Sequence, residues 1–227
     1  MLYHEETVRA NIRNREGKRV FYLAKGDSLT SGARDYLHRE RIEILPAEQG
    51  KPERYQLLSG GFLEEKPEHM THLNGDVLVP KDHPRILFRG KLDTLEAELI
   101  LCQLADTVLV GPVGEILVLA RQIMRCDVLE EKLVWDRLCG LTEAEQRKHS
   151  HFPQDYYGQP HFMPSVADGK VIARLNRARC AAREAELAAV TAFRDREGNP
   201  TRTDLLKALN RMSSMLYILM IQWKSKL

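Results

Sequence analysis

The chain is poor in the residues that mark a secreted or metal-cluster protein. Cys102, Cys126, Cys139 and Cys180 are its only cysteines, and no two form a Cys-x2-Cys pair. That excludes a thiolate cluster on spacing and argues against a disulfide framework, so they read as buried free thiols. Net charge is only +2. No broad basic field is offered to nucleic acid, and a positive site has to be local. No uninterrupted apolar run reaches the ~18 residues of a membrane span, and the N-terminus lacks a secretory apolar segment. A cytoplasmic protein without membrane or nucleic-acid partners is expected. Gly-x-Gly-x-x-Gly, a Walker loop, His-Glu-x-x-His and a nucleophile elbow are all missing, which leaves those chemistries unsupported and assigns no metal site.

What is present is helix. Lys91–Thr107, Val113–Glu131, Val166–Arg194 and Arg202–Lys224 carry apolar residues at steps of three and four. A shorter helix is expected after Leu141, with Thr142 as N-cap and Glu145 completing a capping box. Four or five helices on short connections predict a mainly α, up-and-down bundle. Ahead of it, residues 1–46 read as a small α/β leader. It has a helix at Glu5–Arg13, strands at Arg19–Leu23 and Ile42–Leu45, and a second helix at Ser31–Arg39 capped by Thr30 or Ser31. Residues 47–70, rich in Pro, Gly and charge, read as a linker to a helical domain over 71–227. His149–Pro164 gathers three Pro, four aromatics and three His. It reads as too broken for a helix and as a loop that lines a site.

Three polar constellations stand out. Arg179, Arg183 and Glu186 fall within about 60° of one another around a helix. Two guanidinium groups beside a carboxylate can grip a polyphosphate while one stays fixed by an acidic partner. The same spacing also makes an ordinary surface ion pair worth a few tenths of a kcal/mol. In the last helix Asn210, Ser213, Ser214 and Tyr217 form a polar stripe opposite Leu205, Leu209, Met212, Leu216 and Leu219. It holds an amide, hydroxyls and a phenol where a solvated face would carry Lys and Glu. The third is Pro80-Lys81-Asp82-His83-Pro84-Arg85, followed by Gly90-Lys91-Leu92-Asp93 at a helix start.

With these motifs in order, the sequence resembles the corrinoid adenosyltransferases, most closely the ethanolamine-utilisation type and more distantly the propanediol-utilisation type. The shared patterns are Lys-Asp then Gly-x-x-Asp, Arg-x3-Arg-x2-Glu, and Asn-Arg-hydrophobic-Ser. Leu29-Thr30-x2-Ala33-Arg34-x2-Leu37 also looks like the leader of the ethanolamine-utilisation branch. The resemblance implies a five-helix bundle, usually trimeric, with a dimer as the alternative and sites between subunits. It implies transfer of the 5′-deoxyadenosyl group of ATP to cob(I)alamin with release of triphosphate.

Carried over residue by residue, the resemblance has Lys81 and Arg183 binding phosphates with Mg²⁺. Asp93 would pair with Arg179 at a subunit contact, Glu186 would hold an arginine or Mg²⁺, and Asn210 would contact the nucleotide. A family Phe that displaces the lower axial ligand of cobalt maps to His161 by its spacing from Pro164, with Phe162 beside it, and either fits.

Two departures stand beside these matches. The branch's Cys-Cys-x2-Cys motif has no counterpart in Ser59–His69, so its metal is not carried over, and His69 and His72 read as surface histidines. The propanediol-type phosphate loop is reduced to Thr71-His72-Leu73-Asn74-Gly75-Asp76. A non-catalytic corrinoid carrier or microcompartment assembly module is the competing reading, and the retained Lys81, Asp93, Arg179, Arg183 and Glu186 argue against it.

Overall fold

The computed structural model describes residues 1–15, 17–47 and 54–226. It separates into two compact units, Met1–His83 with Val128–Glu130, and Pro84–Asp127 with Glu131–Leu227. The division falls at His83 rather than at the expected residue 70.

The first unit runs β1 (Leu2–Tyr3), α1 (Glu5–Ala10), β2 (Arg13–Arg15), β3 (Lys18–Leu23), β4 (Ser28–Leu29), α2 (Ser31–Arg39) and β5 (Glu43–Pro46). β3 lies between antiparallel β2 and parallel β5. A parallel pair needs a crossover, which α2 supplies. Thr30 caps α2, its hydroxyl accepting from Ala33 N at 3.3 Å. Val8, Ile12, Phe21, Ala33, Tyr36 and Leu37 form the core of this part.

The unit continues with β6 (Tyr55–Leu57), β7 (Phe62–Leu63), β8 (Met70–Asn74) and β9 (Val77–Pro80), a four-stranded sheet in the order β7-β6-β9-β8. The stretch read as a linker is therefore partly sheet; its residues 48–53 lie outside the described residues. Met70, Leu73, Leu78 and Val79 are buried and give the sheet its apolar face. Gly75 turns the β8–β9 hairpin at φ +47°, and a Cβ there would lie 2.5 Å from the Asn14 carbonyl oxygen, so the position requires glycine.

The second unit comprises α3 (Pro84–Ala105), α4 (Val110–Val128, its last residue counted with the first unit), the hairpin β10 (Arg137–Leu138) and β11 (Leu141–Thr142), α5 (Glu143–His151), α6 (Pro153–Tyr157), α7 (Gly169–Ala192) and α8 (Thr203–Lys224). The protein is mainly α, as its periodicity predicts. α7 buries Ala178, Ala181, Ala182, Ala185 and Ala189. Side chains this small let neighbouring backbones approach, and α7 makes its closest packing with α3 and α8. Leu92, Leu95 and Leu99 of α3, and Leu205, Leu209, Met212 and Leu216 of α8, fill the same core. By length and composition the helical stretch Thr107–Val128 is apolar enough to cross a membrane. It nevertheless contains Glu115, Arg121, Arg125 and Asp127, and it buries Val113, Ile116, Leu119, Ala120 and Ile123 in this core.

The Thr142–Glu145 capping box forms as expected. Beyond it the structure departs from the sequence reading. His149–Tyr157 is mostly helical, and only Gly158–Pro164 lacks regular structure. Pro153 opens α6, where its missing N–H is not needed, and Gly158 ends it at φ +66°. One buried charge was not anticipated. Asp127, fully buried, accepts from Arg85 Nε at 2.9 Å and from Arg89 Nε at 2.6 Å.

Candidate functional site

α7 and α8 bring two of the expected residues together. Asn210 Nδ2 donates to Glu186 Oε1 at 2.9 Å. The ion pair that the α7 spacing permits, Arg183 to Glu186, is not formed. Arg183 is exposed and has no hydrogen bond or ion pair among the described residues. Arg179, half-buried, donates from Nε and Nη2 to Asn176 Oδ1 at 3.1 and 3.0 Å. Asp93 is exposed on α3 and makes no pair with Arg179 within the chain.

Arg211, beside Asn210, was quoted in the motif and given no role. Its Nη2 donates to Asn210 Oδ1, while its Nη1 is buried without a partner. Burial pushes this guanidinium below the usual arginine value. Glu143 opposes the shift, Arg147 adds to it and Glu186 opposes it.

A second cluster gathers around Tyr217. His161 Nδ1 lies 2.8 Å from Tyr217 Oη, and His161 Nε2 lies 3.1 Å from the His151 carbonyl oxygen. The two rings stack at 5.8 Å with 13° between their planes. Burial raises the Tyr217 pKa, while the Phe162 backbone N–H and the Arg179 charge pull it down. The Phe162 ring packs against the helical core, with Lys224 Nζ 5.9 Å from its centroid. Lys224 also pairs with Asp168, whose carboxylate caps Ser165 at the end of the loop. Met163 and Val166 are fully exposed beside it. Spacing put Tyr217 on the polar stripe, but nothing in the sequence pairs it with His161, 56 residues away.

Lys81 belongs to the first unit. It stands exposed just past β9, and its Nζ is 3.3 Å from the fully exposed Glu68, a pair worth little in water. His69 and His72 are both exposed, as expected. Elsewhere in the second unit a cleft of about 780 Å³ opens between the β10–β11 hairpin and the starts of α5 and α8. None of the expected residues lines it. At its wall Lys207 pairs with Glu143 and Asp204 with Arg202, each at 3.0 Å.

Arg183 thus stands exposed on α7 one turn from the Glu186–Asn210 pair, and the segment carrying His161 and Phe162 is held against α8 at Tyr217. The chain belongs to the cobalamin adenosyltransferase family, whose profile matches residues 62–223. It is 31% identical to corrinoid adenosyltransferase EutT of Salmonella typhimurium strain LT2, over 96% of this chain and 90% of that one. It is 30% identical to corrinoid adenosyltransferase EutT of Escherichia coli strain K12, with the same coverage.

Proposed function

We propose that this member of the family transfers the 5′-deoxyadenosyl group of ATP to the reduced cobalt of cobalamin. The cobalt–carbon bond forms as the C5′–O bond breaks, and triphosphate leaves with the electron pair. Because the nucleophile belongs to the corrinoid, no activated Ser or Cys is needed. The protein's task is to hold the leaving charge and to position C5′.

The observation that carries this reading is Arg183. Arg183 stands exposed one turn from Glu186 without pairing with it, while Asn210 donates to one oxygen of that carboxylate, and the guanidinium is open to phosphate. Lys81, weakly held by Glu68, is proposed as a phosphate ligand on the resemblance alone. Asn210 is proposed to contact the nucleotide. Phe162, with Met163 and Val166 exposed beside it, is proposed to pack beneath the corrin. His161 is less suited to that task, since both its nitrogens are engaged.

Among the described residues no three His, Cys, Asp or Glu converge. Mg²⁺ would therefore arrive on the phosphates and meet at most Glu186, which suits an ion that keeps most of its water. Asp93 and Arg179, unpaired with each other within one chain, are proposed to meet across subunits of a homo-oligomer. A trimer is favoured and a dimer is the alternative. Cytoplasmic placement, a role in ethanolamine utilisation and microcompartment association through the leader extend the resemblance and are proposals of the same standing.

The test incubates the protein with ATP, Mg²⁺ and chemically reduced cobalamin and follows the spectrum of adenosylcobalamin. Arg183→Ala is expected to lose about 10²-fold in rate with its melting temperature kept. Equal rates in the two proteins would remove Arg183 from the mechanism.

A further inference from the structure

The strap Gln159–Pro164 has no regular structure, and among the described residues it makes no backbone–backbone hydrogen bond. Something else has to hold it. The His151 carbonyl can only accept, so His161 Nε2 carries the proton facing it, and Nδ1 is left as an acceptor. Tyr217 Oη therefore donates to Nδ1. A single phenol thus holds the strap at His161, and the next residue, Phe162, packs against the helical core.

We propose that Tyr217 is a positioning residue for the corrinoid: its hydroxyl fixes the strap to α8 and thereby sets how far Phe162 reaches beneath the ring. The inference rests on the reading of Phe162 given above. Two further observations support it. A Phe at position 217 would fill the same half-buried space, so packing alone does not call for the oxygen, and burying that oxygen has a cost that the hydrogen bond to His161 offsets. Tyr217 also lies two helical turns beyond Asn210, about 10.5 Å along α8. One rigid helix therefore carries both the proposed nucleotide contact and the anchor of the corrin contact, and holds their separation constant.

The experiment compares Tyr217→Phe, Phe162→Ala and the unaltered protein in the presence of ATP. Two substrates are used, cob(I)alamin, which has already shed its lower base, and cob(II)alamin with a chemical reductant. The fraction of bound cob(II)alamin lacking its axial base is read by electron paramagnetic resonance. Tyr217→Phe is expected to lower that fraction and the cob(II)alamin rate about tenfold, the scale of one or two hydrogen bonds. The cob(I)alamin rate, the KM for ATP and the melting temperature should hold. Unchanged cob(II)alamin behaviour in Tyr217→Phe, alongside loss in Phe162→Ala, overturns the role of Tyr217 and leaves that of Phe162 standing. Equal losses with both corrinoids, or a lowered melting temperature, reduce Tyr217 to a structural part and overturn the proposal. Full activity in Phe162→Ala overturns the reading of Phe162 and this inference with it.

Discussion

Asn210 on α8 donates its side-chain amide to Glu186 on α7 across 2.9 Å. This contact joins two motifs that lie 24 residues apart in the chain. A third residue, Arg183, stands one turn from that carboxylate and makes no pair with it.

Asn210→Ala removes that donor and frees Glu186 to attract Arg183. The expected result is a rise in the KM for ATP and a fall in kcat, with only about 1 kcal/mol lost in stability. A double-mutant cycle with Glu186→Gln, read by urea unfolding and by kinetics, should show coupling in both. Strict additivity would mean that the contact does not operate in solution.

Asp127 holds two arginines in a place where water cannot replace it. Asp127→Ala leaves Arg85 and Arg89 without their buried counter-charge and is expected to cost about 3–5 kcal/mol in chemical denaturation. A loss below about 1 kcal/mol would show that the arginines find water or another carboxylate.

Acid should loosen the strap's far end. The Lys224 ammonium, then the Ser165 backbone N–H, hold the Asp168 carboxyl below the usual carboxylate range. The Thr142 hydroxyl and backbone N–H do the same for Glu145. A folded value below the unfolded one means stability that is complete above the unfolded pKa of about 4 and is lost as pH falls through the folded value. Asp168→Asn should lower the melting temperature at pH 7 and flatten its fall in acid. Parallel curves for variant and parent would contradict the assignment.

Burial, then the nearby Glu98, pushes the Cys102 thiol up to about 12; burial, then Glu115, does the same for Cys139. Thiolate is the reactive form, so both should resist an aromatic disulfide reagent at pH 8 until the chain is unfolded. Rapid labelling of either in the native protein, located by mass spectrometry, would contradict this.

Asp93 finds no partner among the described residues, and Ile100, Leu101 and Leu104 are exposed further along α3. Asp93→Ala should shift the sedimentation coefficient toward the monomer and reduce activity together with it. An assembly that survives intact would separate Asp93 from the subunit contact.

The helices were legible because their signals are local. The steps of three and four in α7 and α8, and Thr142 three residues before Glu145, depend only on helical geometry. The sheet β6–β9 was not. Its strands are short and its turns rich in Gly, Pro and charge, so the pairing that makes it a sheet lies between segments rather than within any one. Half of the aromatic-rich segment was misread for a related reason. Pro153 breaks one helix and starts the next, and composition does not distinguish the two. The residues proposed for the site on α7 share a face by their spacing alone, whereas Tyr217 was seen and left without a task, since its partner comes from a loop that no periodicity places.

The order of residues alone determined the helical class, the polar stripe of α8 and the motifs that connect the chain to its family. Tertiary structure decided which polar groups satisfy one another. Glu186 takes an amide from α8 in preference to the arginine on its own helix, because the alanines of α7 let the two backbones come close enough for short side chains to meet. Hydrogen bonding changes steeply over a fraction of an ångström, and separation on that scale is a property of packed helices that a linear pattern does not contain.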